Sequence, residues 1–243
     1  MKSKFPGFPA EAFAFFRNLK KHNNREWFEK NKDVYLESVK APMEQLATLV
    51  SAELNRFAPR YSTEPKRALY RIYRDTRFSA DKTPYKTHQA AHFFRADLPK
   101  NESAGFYFHV SHEEVGIGGG AYMPGPENTR AIRQYLLDNH QRLRNILAGK
   151  GLQRIFGGVQ GEKLARPPQG FPAEHPALDL VLGKQWYFWR ELDPSVASTP
   201  MLFVEIVTAF EVMAPAIEFL NEPLAGMHQQ ARQKMLKMDS TWL

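Results

Sequence analysis

Gly105-Phe106-Tyr107-Phe108-His109-Val110-Ser111, a polar His112-Glu113-Glu114, and then Val115-Gly116-Ile117-Gly118-Gly119-Gly120-Ala121-Tyr122 form the clearest hairpin signal in the chain. Phe106, Phe108 and Val110 fall on one side of a two-residue repeat, and Tyr107, His109 and Ser111 on the other. Two such runs joined by a short polar turn predict paired antiparallel strands. Working outward, Lys86 to Arg95 reads as a preceding strand and Ala68 to Phe78 as one before it. Gln185 to Glu191, with Trp186, Tyr187, Phe188 and Trp189, supplies a fifth. The predicted fold is α+β, an antiparallel sheet of about four to five strands flanked by N-terminal and C-terminal helices.

The flanks carry a helical period. Residues 5 to 20 open with a turn and continue as a helix, with Pro9 suited to its start and Phe13 and Phe16 on one face. Asn23 and Glu26 have capping-box spacing, so a second helix is predicted to start there. Its apolar positions run through Phe28, Tyr35, Val39, Leu46, Val50 and Phe57, and Pro42 predicts a kink or restart near Lys40 to Ala41. Gly125-Pro126 starts another helical region, predicted as two helices meeting near Asn139. Residues 149 to 172 are glycine-rich and loop-like, around a short Leu152 to Phe156 helix, and Pro176 to Leu182 predicts a further short one. From about Thr199-Pro200 a long helix carries Leu202, Phe203, Ile206, Val207, Phe210, Met213, Ile217 and Leu220 on its apolar stripe, bent at Pro215. No repeat or linker divides the chain, so residues 1 to 243 are expected to form one domain, with a short basic tail from about residue 229.

Residues 71 to 88 stand out: Arg71-Ile72-Tyr73-Arg74-Asp75-Thr76-Arg77-Phe78-Ser79-Ala80-Asp81-Lys82-Thr83-Pro84-Tyr85-Lys86-Thr87-His88. Five cations face two acids, with aromatics set among them. Residues 60 to 100 hold ten Lys or Arg against four acids, whereas residues 191 to 231 hold no Lys or Arg and six acids. That polarity predicts a basic face for anionic ligands, or two segments that neutralise each other in the fold. Strand alternation puts Arg71 and Arg77 on one side, about 20 Å apart, and Arg74 on the other. The three do not share one small phosphate, so Arg74 with the Asp81 to Lys86 turn is the tighter candidate. Guanidinium groups grip phosphate or carboxylate in a bidentate manner, and lysines add point charge. Arg71, Arg74, Arg77, Lys82, Tyr85 and Lys86 are accordingly the candidate ligand-binding residues. The competing expectation is that Asp75 and Asp81 pair with these cations and pin the strand to its turn.

Other chemistry is thinner. Gly116 to Gly120 lacks the Lys-Ser/Thr ending of a phosphate loop, and strand glycines more often mark close backbone approach. His88, His92, His109 and His112 cluster in sequence without a recognised metal-ligand spacing, so neither metal nor cofactor is expected. If the protein is an enzyme, Asp75, Asp81 and His88 are the candidate proton-transfer groups. Three readings stand together. The first is a binding domain for an anionic small molecule or nucleic acid. The second is an enzyme acting on a phosphorylated or carboxylated metabolite, and the third an interaction protein with an architectural ion-pair network. The chain of 243 residues has no cysteine and no apolar run long enough to cross a membrane. A cytoplasmic location is expected, with no membrane partner and the oligomeric state left open.

Several of these residues carry a resemblance. Phe5-Pro6-Gly7-Phe8, Asn23-Asn24 with Trp27-Phe28, and above all Arg74 to Ser79 and Asp81 to Lys86 resemble the conserved hypothetical family catalogued as domain of unknown function 2461. Gly119-Gly120 with Tyr122 and Pro124, then His175-Pro176 and the final helix, continue the likeness over nearly the whole chain. The resemblance implies a single intracellular domain and transfers no catalytic or ligand residue.

Overall fold

The computed structural model of the protein describes residues 5–98, 100 and 103–239, with side chains through residue 229. Helices α1 (Ala10–Lys21), α2 (Arg25–Lys30), α3 (Lys32–Val34), α4 (Ala41–Phe57) and α5 (Pro65–Ala68) precede strands β1 (His88–Phe94), β2 (Gly105–Ser111) and β3 (Val115–Ala121). Then come α6 (Gly125–Leu147), α7 (Lys150–Phe156), α8 (Leu178–Val181), β4 (Trp186–Leu192) and the long α9 (Met201–Asp239). The strands form one four-stranded antiparallel sheet in the order β1-β2-β3-β4, so the fold is α+β. Among the described residues no helix is long and apolar enough to cross a membrane.

Packing divides the residues into two compact units. The first comprises Met1–Phe93, Tyr107–Gly118 and Arg190–Glu211. In it, α1 buries Ala12, Phe15, Phe16 and Leu19, the spacing of one helical face. Pro42 lies at the start of α4, and the preceding Tyr35–Lys40 winds as a π-helical turn before the regular helix restarts at Ala41. Proline has no amide hydrogen to give the preceding turn, so the break falls there. The core side of β1 and β2 carries Phe93 and Phe108, which meet Phe210 of α9 at 6.0 and 6.4 Å between ring centroids.

The second unit comprises Phe94–Phe106, Gly119–Trp189 and Val212–Leu243. Tyr135 of α6 packs on Phe219 of α9 at 5.1 Å, and Phe156 on Phe188 at 5.6 Å. The fully buried Asn221 exchanges two hydrogen bonds with the Ala104 backbone, at 2.9 and 2.8 Å.

Some sequence expectations need correction. The strand expected over Ala68 to Phe78 does not form: α5 occupies its start, and only isolated bridges follow, Leu69 to Ala91 and Tyr73 to Tyr85. The N-cap of α2 is Asn24, whose side chain accepts from the Trp27 amide, not Asn23. The two helices expected to meet near Asn139 are one, α6, within which the Asn139 side chain donates to the Tyr135 carbonyl. The side chains of the expected basic tail lie outside the described residues beyond Gln229, and its backbone continues α9 to Asp239.

Candidate functional site

The Arg71 to His88 stretch folds as a loop closed at its neck. Arg74 N donates to Pro84 O at 2.9 Å and Lys86 N to Ile72 O at 2.8 Å, on either side of the Tyr73–Tyr85 bridge. Beyond the neck the local side chains satisfy the backbone. Asp75 Oδ1 accepts the Arg77 amide and Asp81 Oδ1 the Thr83 amide, at 3.2 and 2.9 Å. Such short-range bonds compete with a strand ladder, which is why the expected strand stops here.

The cations of the loop turn inward. Arg74 donates to Asp81 and Thr83. Arg77 forms a bidentate pair with Asp75 at 3.0 and 2.8 Å. Lys82 donates to the Thr76 carbonyl at 2.9 Å, and Lys86 to the Arg71 carbonyl at 3.0 Å. Tyr85 is buried and stacks on Phe28 at 4.1 Å, while Asn23 clamps its backbone from α1's end of the chain. Phe78 at the tip is almost wholly exposed. The bonds from Arg77 hold the Asp75 carboxyl down to about 2, and those from Arg74 and Thr83 do the same for Asp81.

Arg71 behaves differently. Its side chain makes no hydrogen bond or ion pair among the described residues, and it lines a cleft of about 390 Å³. Lys32, Lys40 and Lys66 line the same cleft, against the single acid Glu44. Lys66 is likewise without an ion-pair partner among the described residues. Lys32 is 3.1 Å from Glu29, and Lys40 3.9 Å from Glu44. Phe28, Tyr35, Tyr70 and Tyr73 supply aromatic walls. Tyr35 donates to the buried Gln89, whose amide donates to Tyr70 O at 2.5 Å, so two cleft residues are fixed through one buried side chain. Burial pushes the Tyr35 phenol up to about 12, so it stays a neutral donor.

A second cluster occupies the sheet face opposite the Phe93–Phe108 core. His88 and His92 of β1 and Tyr107 and His109 of β2 share it by alternation. The His88 and His109 rings lie 4.9 Å apart, and the Tyr70 ring stacks on His92 at 6.2 Å. Burial holds His88 down to about 4, helped by His109 and Lys86, and burial does the same to His109. Burial, then Arg71, lowers Lys86, whose ammonium sits 5.0 Å from the Tyr70 ring centre.

The predicted proton-transfer residues thus fall in two places. Asp75 and Asp81 are spent on loop arginines, His88 stands on the sheet, and no contact joins them among the described residues. Of the predicted ligand residues, Arg74, Arg77, Lys82 and Lys86 bond within their own loop, Tyr85 is core, and Arg71 alone lines the cleft. Lys32, Lys40 and Lys66 escaped sequence reasoning because they come from separate segments with no shared spacing. Tyr107 was findable, since a strand that places Tyr107 and His109 on one face marks that face as polar. The glycines before Ala121 serve close packing: a Cβ on Gly119 would lie 2.6 Å from Gly105 O, and one on Gly120 2.3 Å from Trp186 O. Among the described residues no group of three or more acids and histidines is placed to hold a metal ion.

The family model described as Conserved hypothetical protein (DUF2461) matches residues 11–219, which leaves the Phe5 to Phe8 stretch outside the match. No curated protein and no solved structure matches the chain.

Proposed function

Because the chain belongs to this conserved hypothetical protein family, whose description names no activity, we propose a function from the site alone: the domain binds a phosphate-bearing or other anionic small molecule in the Arg71 cleft. The observation that carries this reading is the charge of the cleft walls, four cations against Glu44, two of them without an ion-pair partner among the described residues. Arg71 offers a planar, bidentate donor set and Lys66 a mobile point charge. The aromatic walls suit a ligand with a flat or apolar portion beside its anionic group. Arg74, Arg77, Lys82, Tyr85 and Lys86 shape the loop that presents Arg71 rather than contact the ligand. A cysteine-free chain suits a reducing compartment, and we take the ligand to be a cytoplasmic one.

Calorimetric titration of the full chain with inorganic phosphate, adenosine monophosphate and a short oligonucleotide tests this. Binding of a phosphate compound is expected to weaken about tenfold in Arg71→Ala and again in Lys66→Ala, the loss of one charge-assisted contact each. Melting temperature should barely move. No binding by any probe, or equal affinity in the double variant, would refute the proposal. Oligonucleotide binding with a steep salt dependence would instead make nucleic acid the ligand.

One observation favours the enzyme reading as a second choice. His88 stands outside the arginine pairs, its ring 4.9 Å from His109 on the sheet, and is the base for a phosphorylated or carboxylated metabolite in this reading, a weak one because burial holds it down to about 4. Asp75 and Asp81, ionised and engaged by arginines, are poor proton acceptors for it.

A further inference from the structure

A bare anion would leave two features of the Arg71 cleft unused, an open aromatic ring and a carboxylate. Among the large apolar side chains that line the cleft, Tyr73 and Leu36 are the most open, at 51% and 39% exposed. Leu36 comes from the π-helical turn and Tyr73 from the loop neck. The Tyr73 ring is backed by Phe28 at 6.1 Å and by Tyr85 at 5.3 Å between ring centroids, and the neck hydrogen bonds hold its backbone on either side. A ring fixed in this way and half open to solvent is a stacking surface that needs little further ordering when a ligand covers it.

Glu44, in the first turn of α4, is the second feature. Its carboxylate lies 3.9 Å from the Lys40 ammonium, too far for a hydrogen bond, and accepts none among the described residues. A carboxylate set among four cations repels a second anionic group and accepts from a neutral donor, so it selects what accompanies the anion. Spacing and size narrow the ligand further. Arg71 and Tyr73 are two residues apart, so their Cα atoms are separated by no more than about 7 Å. A phosphate on the one and a flat ring on the other are neighbours that a single sugar joins. The cleft volume of about 390 Å³ stands near the lower end of the roughly 300–1,000 Å³ of small-molecule sites, which suits one mononucleotide better than a dinucleotide or a polymer.

We infer that the cleft takes a nucleoside monophosphate whose base carries an amino group: Arg71 and Lys66 hold the phosphate, the base stacks on Tyr73, and Glu44 accepts a hydrogen bond from the amine. The inference rests on the anion site proposed above and adds which class of anion it selects. An acceptor with no hydrogen-bonded partner of its own discriminates by what faces it. A base that presents a carbonyl in place of the amine sets two acceptors against each other and leaves the carboxylate unmatched.

Calorimetric titration of the full chain with adenosine monophosphate, inosine monophosphate and ribose 5-phosphate, side by side, tests it. Adenosine monophosphate should bind about tenfold tighter than ribose 5-phosphate, the gain of one base stacked on an aromatic ring. It should also bind about tenfold tighter than inosine monophosphate, which has the carbonyl. These comparisons use the wild-type chain and stand even where a variant fails to fold. Tyr73→Ala should remove the advantage over ribose 5-phosphate. Glu44→Gln, at a side chain 42% exposed, should bring the two nucleotides within about threefold of each other, since a carboxamide both donates and accepts. Equal affinity for adenosine monophosphate and ribose 5-phosphate, or for the two nucleotides, overturns this inference and leaves the anion site standing. So does an advantage that survives Tyr73→Ala, or a nucleotide preference unchanged in Glu44→Gln. Failure of all three ligands to bind overturns the anion site together with it.

Discussion

Replacing Asn23 with alanine should open the charged loop at its neck. The Asn23 Nδ2 donates to the Tyr85 carbonyl at 2.9 Å, and its Oδ1 accepts the Tyr85 amide at 3.0 Å. One side chain thus pairs both backbone groups of a residue 62 positions away, as a neighbouring strand would. Each bond contributes about 1 kcal/mol net. The groups are only part-buried, so water recovers some of what is lost, and no full desolvation penalty is added. The variant should lose about 2 kcal/mol, with the Tyr85 ring still stacked on Phe28. Asn24→Ala provides the control, since Asn24 only caps α2 through the Trp27 amide and should cost about 1 kcal/mol. Urea unfolding with matched slopes measures both, and amide exchange at Tyr85 and Lys86 reports the neck directly. A loss below about 0.5 kcal/mol in Asn23→Ala, or a larger loss in Asn24→Ala, would refute the clamp.

Acid should loosen the same loop. Asp75 and Asp81 titrate at about 2 when folded, below the unfolded value of about 3.9, so their contribution is fully present above about pH 4 and is lost as pH falls through about 2. Amide exchange over residues 74 to 84 should accelerate in that window, and unchanged protection at pH 2 would contradict the pairing. Gly120→Ala should be among the most damaging single changes, at about 3 kcal/mol or more. Its backbone sits at φ +131° and the new Cβ would meet the Trp186 carbonyl at 2.3 Å and Tyr187 Cα at 2.5 Å. Urea unfolding within about 1 kcal/mol of wild type would show that the strands can part at no great cost.

The sheet and its flanking helices were legible because apolar period survives into structure. Gly105 to Ser111 is a strand over the residues its alternation marks, and α1 is a helix as its period predicts, although it buries Phe15 with Phe16 where Phe13 with Phe16 was expected. Residues 68 to 78 alternate equally well and are not a strand. Alternation says which side chains would share a face if the backbone were extended. It does not say whether Asp75 and Asp81 will take the backbone amides for themselves, and here they do. The same limit hid the cleft, whose cations come from α3, the π-helical turn, α5 and Arg71, and meet only through folding.

Charge density along the chain therefore misleads about where an anion would sit. Arg74 and Arg77 are the most conspicuous cations in the sequence, and each has a carboxylate partner within seven residues. A ligand competing for either must displace a partner already held at effectively high local concentration. Arg71 lies a few residues earlier, before the neck, and forms no ion pair among the described residues, although its charge helps to lower Asp75. Closure of the neck separates the two classes. Beyond it, the loop's own aspartates neutralise the arginines. Before it, Arg71 is left facing the cleft with Lys66. If Asn23 holds that neck, then Asn23→Ala should also weaken phosphate binding at Arg71, although Asn23 does not line the cleft. Calorimetry on a variant still folded at the assay temperature checks this, and undiminished affinity would separate the neck from the site.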